Sequence, residues 1–169
     1  MFWTILTFSL LLIVYFVGKK FRKNLTGEVI IALIIGLVWE ILTGRLWLYD
    51  IKKLIVFNIL GNEIPVALVI AWGVVLTATV LLTWLLQKKI FKKVNDITYF
   101  IGGLISILLI CITAESIGHN VGLWTYYFTG NILPLVNLPV YIISWCFFFG
   151  TVFLATIKVY EDEIEKRIK

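Results

Sequence analysis

The sequence predicts an all-α fold: a polytopic transmembrane bundle of about five helices that contains a parallel repeat of a two-helix unit. Three observations predict it. Hydrophobic residues make up 61% of the 169 positions and charged residues only 15%. Soluble domains are nearer ~50% apolar and ~25% charged, so polar sequence is too scarce here to coat a water-facing surface. The apolar residues gather into runs approaching the ~20 residues that cross a bilayer as a helix. A backbone in lipid must satisfy its own hydrogen bonds, and the strict alternation of a membrane barrel strand is absent, so the runs read as helices. Finally, two stretches of the chain share the same landmarks in the same order.

The predicted spans are Phe2–Val17, Val29–Thr43, Pro65–Leu86, Ile97–Gly118 and Leu138–Ile157. The first has no basic residue ahead of it and no small-residue cleavage site behind it. Lys19, Lys20, Arg22 and Lys23 follow instead, so it reads as a retained helix rather than a signal peptide. The first two spans are short, so they either tilt little or are extended by flanking residues. Pro65 and Pro139 each stand where a helix opens, a position proline tolerates. Cys111 and Cys146 lie inside apolar runs and read as buried small hydrophobes.

Basic clusters fall at Lys19–Lys23, at Lys88, Lys89, Lys92 and Lys93, and at Lys158 with Lys166, Arg167 and Lys169. Five spans put all three on one side. The positive-inside rule makes that side cytoplasmic in a cell membrane, with the N-terminus outside and the C-terminus inside. Arg45, Lys52 and Lys53 in the first outer loop run against this, partly offset by Asp50 and Glu63. The net charge of +5 serves topology and needs no nucleic acid; the lipid bilayer is the expected partner. Residues 161–169 read as a cytoplasmic tail, the frayed and solvated end of the last helix.

The repeat is the most informative feature. Glu40, Trp47, Tyr49, Pro65 and Trp72 are matched by Glu115, Trp124, Tyr126, Pro139 and Trp145, at separations of 73 to 77 residues. Both units run out and back in the same sense, as repeats related by an axis along the membrane normal do. The chain then divides into a leading helix (1–25), a first unit (26–94) and a second unit (95–160) within a single membrane domain.

Glu40 and Glu115 are the principal candidates for chemistry. Each lies near the outer end of an apolar span, where a carboxyl group is costly and by default faces the bundle interior or a cavity. The repeat sets them at one depth, facing across a local twofold axis. Two carboxyls in a poorly solvated pocket titrate apart, one serving as acid and the other as base. The bland alternative is an interfacial carboxylate, hydrated or paired with Arg45 or His119. His119 follows Glu115 by one helical turn and is the third catalytic candidate. As the chain's one histidine it does not make a metal site, and neither metal nor cofactor is expected. Trp47, Tyr49, Trp124 and Tyr126 suit an interfacial aromatic belt. Together with Trp72, Trp145 and Asn137 they are also the candidate walls and mouth of a binding pocket. Aromatic faces beside a carboxylic acid would stabilise a carbocation. The sequence carries no phosphate-binding glycine loop, histidine cluster, Ser/His/Asp set or HExxH.

The run Ala114-Glu115-Ser116-Ile117-Gly118-His119-Asn120-Val121-Gly122-Leu123-Trp124-Thr125-Tyr126, with Leu138-Pro139 and Trp145, resembles the membrane proteins of carotenoid biosynthesis that hydrate carotenoid ends. The stretch from Glu40 through Trp47-Leu48-Tyr49 to Pro65 resembles, more distantly, the lycopene cyclase domain. The Pro-x-Glu-Glu stretch of that domain is missing, since apolar residues follow Pro65 and Pro139. The resemblance implies acid–base chemistry (hydration, cyclisation or isomerisation) on a hydrophobic isoprenoid or carotenoid substrate, with Glu115 or Glu40 protonating an alkene. Two other classes stay open: a small transporter or channel, as a homodimer, with the carboxyls binding a cation; and a lipid-binding or assembly subunit without chemistry. An apolar pocket open to lipid favours the enzyme, an aqueous path the transporter.

Overall fold

The computed structural model describes residues 1–44, 47–49, 54–126, 131–133, 135 and 138–168. Helix α1 spans Phe2–Lys19, α2 Leu25–Thr43, α3 Val66–Leu85, α4 Asp96–Asn120 and α5 Val140–Ile168. All five are long and apolar enough to cross a membrane, so the chain is a multi-pass membrane protein. Helix α3 is the central element and packs along α1, α2 and α4, while α5 closes the bundle against α4.

Sequence sets the helix ends. Asn95 accepts a hydrogen bond from the Thr98 amide at 2.9 Å, and Thr98 Oγ1 accepts one from the Asn95 amide at 3.2 Å. This reciprocal pair satisfies two otherwise orphaned donors at the start of α4. Pro65 and Pro139 immediately precede α3 and α5. The end of α3 differs from a plain helix, because Leu86–Phe91 form a π-helical turn closed by Lys92 in the left-handed region. The tail is the end of the last helix. Helix α5 continues unbroken to Ile168, and its Glu161 pairs with Arg22.

Among the described residues, six short strands, which hydropathy did not reveal, decorate one end of the bundle. They are β1 (Trp47–Tyr49), β2 (Val56–Ile59), β3 (Asn62–Pro65), β4 (Trp124–Tyr126), β5 (Ile132–Leu133) and β6 (Leu138–Pro139). The β2–β3 hairpin turns through Leu60 and Gly61, both at positive φ (52° and 79°), as a two-residue hairpin with the right twist requires. Strands β5 and β6 form the corresponding pair in the second unit. The Val66 amide donates to the Ile55 carbonyl and the Val140 amide to the Asn131 carbonyl, each at 2.9 Å. The two units thus enter their second helix in the same way.

Strand β1 pairs antiparallel with β4 in the register Trp47↔Tyr126, Leu48↔Thr125 and Tyr49↔Trp124. Each Trp-x-Tyr motif therefore lies on its own copy, reversed about an axis through Leu48 and Thr125. The main core lies among α2, α3, α4 and α5, around Trp39, Leu76, Ile107, Cys111, Phe149 and Phe153. Cys111 and Cys146 are both buried and both free. Away from the core, Ile5, Phe8, Ile13, Phe16, Ile34 and Phe148 are exposed, the side chains of a surface in hydrocarbon.

Candidate functional site

The last turns of α2 and α4 carry Glu40 and Glu115 to the stranded end, where both are buried (3% and 6% exposed). Burial of a carboxyl group is costly unless it is hydrogen-bonded, and the β1–β4 ladder supplies the partners. Tyr49 on β1 donates its hydroxyl to Glu40 Oε2 at 2.5 Å. Tyr126 on β4 donates to Glu115 Oε2 at 3.0 Å. These two bonds are repeat equivalents, so each unit ties its own strand back to its own first helix.

Trp72 on α3 donates Nε1–H to Glu40 Oε1 at 2.8 Å, filling the second oxygen. In the second unit the Trp124 indole N–H donates to the Tyr126 hydroxyl at 3.2 Å. Both tyrosine hydroxyls are pushed above the usual phenol range, by burial first and then by the neighbouring carboxyl, Glu40 for Tyr49 and Glu115 for Tyr126. Glu115 also adds to the effect on Tyr49. Both remain neutral donors at physiological pH.

Glu40 and Glu115 line a single cavity of about 300 Å³. Its walls come from α1 (Trp3, Leu6, Thr7, Leu10), α3 (Ala67, Leu68, Ala71, Trp72, Val74, Val75), α4 (Ala114, Ile117, Gly118), the strands (Tyr49, Trp124) and Leu123 just ahead of β4. Apart from the indoles, Thr7, Glu40, Tyr49 and Glu115 are its only polar side chains among the described residues. Helices α1 and α4 both pack on α3 without packing extensively on each other, which leaves the cavity between them. Leu6, Leu10 and Ile117 at its edge are exposed (36%, 42% and 58%). The opening thus faces the hydrocarbon side of the bundle.

Of the aromatic candidates, Tyr49, Trp72 and Trp124 reach this cavity, and Tyr126 stands behind Glu115. Trp145, the repeat equivalent of Trp72, does not reach it. Its ring packs 5.4 Å from Trp39 and 5.8 Å from Phe148 on the outer side of α5. The cause is that Trp39 and Phe149, stacked at 4.3 Å, hold the interior position. His119 lies one turn beyond Glu115, but its ring sits 5.0 Å from Tyr126 and its Nδ1 is 3.4 Å from the Trp124 carbonyl oxygen. It buttresses the donor strand. For Trp47 only the backbone pairing is described, and Asn137 lies outside the described residues, as does Arg45. Asn62 ends a helix, donating to the Ile41 carbonyl at 3.0 Å.

Sequence reasoning missed the contribution of α1, read as an added element, and the seat of Trp124 against Gly118. The α1 contribution had no signal beyond hydropathy. Among the described residues no three His, Cys, Asp or Glu side chains gather as a metal site.

A family described as "Domain of unknown function (DUF6989)" matches residues 46–168. No curated protein and no solved structure matches the chain.

Proposed function

The chain belongs to that family, and we propose that it is a membrane-embedded enzyme performing acid–base chemistry on one end of an isoprenoid lipid, of which carotenoids are one class. The observation that carries this reading is the convergence of two buried carboxyls on one apolar cavity that opens toward lipid. A cavity of about 300 Å³ is at the small end of ligand pockets, which run ~300–1,000 Å³. It admits the terminus of a long chain while the remainder lies in the bilayer. One carboxyl protonates an alkene, the indoles of Trp72 and Trp124 stabilise the cation, and the other carboxyl accepts a proton as water adds or the double bond shifts. Hydration or isomerisation fits better than cyclisation, given the missing Pro-x-Glu-Glu stretch.

The test is chemical. Glu40→Gln and Glu115→Gln variants are expressed, and isoprenoid lipids are extracted and compared with wild type by mass spectrometry. Loss of a product in either variant is the expected result; unchanged lipids in both defeat the mechanism. The transporter reading is disfavoured by the lining, which offers a solute few polar groups.

The orientation follows the charge. The basic end faces the cytoplasm, and the strands with the carboxyl pair face the opposite side of a cell membrane. A C-terminal reporter that works only in the cytoplasm is expected to be active, and a silent one reverses the assignment.

A further inference from the structure

The two carboxyls are related by the repeat, yet their partners differ. Glu40 receives one donor on each oxygen, Tyr49 on Oε2 at 2.5 Å and Trp72 on Oε1 at 2.8 Å. Glu115 receives Tyr126 on Oε2 at 3.0 Å, and Trp124 stands behind that hydroxyl at 3.2 Å. The one well-formed donor to Glu115 is thus Tyr126, and the Trp124 indole, whose N–H is directed at that hydroxyl, is a second and weaker hydrogen-bond partner of the carboxyl. Trp145, which the repeat would make the second donor, is turned away toward Trp39 and Phe148.

This difference has a chemical consequence. An ionised carboxylate is acceptor-only and is best served by a donor on each oxygen, and such charge-assisted bonds are the short, strong ones. A carboxylic acid carries its own O–H on one oxygen, so it needs fewer outside donors than a carboxylate and keeps only its remaining acceptor capacity. Glu40 matches the first pattern and Glu115 the second, and both groups line the cavity.

We infer that Glu115 is the carboxyl that gives its proton to the ligand and Glu40 the carboxylate that takes one back, an assignment that rests on the acid–base reading of the cavity. In the forward step the Glu115 O–H bond breaks as an alkene π pair forms a C–H bond, leaving a carbocation and a Glu115 carboxylate. Either a neighbouring C–H bond then gives its proton to Glu40 and re-forms a double bond, or water adds and loses its extra proton to Glu40. The proton returns from Glu40 to Glu115 before the next turnover. Trp72 is a positioning residue that keeps Glu40 in its accepting form.

Dicyclohexylcarbodiimide tests the assignment without turnover. This apolar reagent attacks carboxyls in their acid form: the acid proton moves to a carbodiimide nitrogen and the carboxyl oxygen adds to the central carbon. The adduct then rearranges to a stable N-acylurea. The full chain in phosphatidylcholine liposomes is treated at neutral pH, and modified peptides are counted by mass spectrometry. Glu115 is expected to react roughly tenfold faster than Glu40, the least that one further charge-assisted hydrogen bond on Glu40 is worth. Glu115→Gln should abolish the fast reaction and Glu40→Gln should spare it. Trp72→Phe, which keeps a ring but removes the donor, should raise the Glu40 rate toward that of Glu115. Faster reaction at Glu40, equal rates, no reaction at either, or an unresponsive Trp72→Phe variant overturns the assignment. Equal labelling with altered lipids in the Gln variants would sink the assignment and keep the enzyme. Unequal labelling with unaltered lipids would sink the enzyme, and with it the catalytic roles, leaving only the difference in protonation between the two carboxyls.

Discussion

The seat of Trp124 depends on the absence of a side chain at Gly118. A methyl group built there would fall inside the indole ring, so the ring would have to leave. That ring lines the cavity and its N–H feeds Tyr126, the donor to Glu115. Over-packing of this kind costs ~1–3 kcal/mol. Gly118→Ala is expected to lower the melting temperature in detergent, red-shift tryptophan emission and reduce lipid product, although no carboxyl has changed. An unaltered emission spectrum would mean that the indole had not moved. At this scale the sequence was legible where chemistry is costly. A carboxyl inside an apolar run announces itself, and the repeat named Glu40, Glu115 and their tyrosines together. A glycine does not, because its role is set by which ring packs on it. Nor could the repeat separate Trp72 from Trp145. Equivalent positions in sequence became unequal in space because the stacked pair Trp39 and Phe149 takes the interior place.

The helices were legible as elements because a long apolar run leaves the backbone one way to satisfy itself in lipid. The strands were not, since runs of two to four residues show no period. Their pairing is set by the meeting of the two loops rather than by pattern. Yet β1 and β4 do the positioning, for they carry the tyrosines. Both hydroxyls are raised by burial and by an adjacent carboxyl, which fixes a direction for alkaline pH. Tyrosines of the unfolded chain ionise near pH ~10, and the folded pair ionises higher. Their contribution to stability is whole below pH ~10 and is lost as pH rises beyond it, since the unfolded state alone releases those protons. Melting temperature should therefore fall above pH ~10. Of the 7 tyrosines, Tyr49 and Tyr126 should give no tyrosinate absorbance until the protein unfolds. Tyr49→Phe and Tyr126→Phe should each flatten that fall, and an unchanged slope in both would refute the cause.

Across the whole molecule, the end opposite the carboxyl pair is held by charge. Arg22, between α1 and α2, grips Glu28 through Nε at 3.1 and 3.0 Å and through Nη2 at 2.7 Å, and also pairs with Glu161 on α5. Nearby on α5, Lys158 pairs separately with Asp162 at 2.9 Å and with Asp96 of α4 at 3.5 Å. Through Arg22 the α1–α2 connection, the second helix and the last helix are joined at one point. The sequence showed this arginine only as part of a basic cluster, because its partners lie six residues ahead and on the far end of the chain. Glu28 is fully buried, so its charge has no water to fall back on. Removing one partner of a buried pair strands the other at a cost of ~3–5 kcal/mol, while replacing both with apolar groups of similar size is often neutral or better. Arg22→Gln is therefore expected to lower the unfolding midpoint in detergent steeply. The double variant Arg22→Met with Glu28→Leu should recover most of the loss, despite having fewer ionic contacts. Added salt should change the wild-type midpoint little, because a pair this enclosed is poorly screened. Were the double variant as weak as Arg22→Gln alone, the network would be holding the helices through its own attraction, and not merely avoiding a stranded charge.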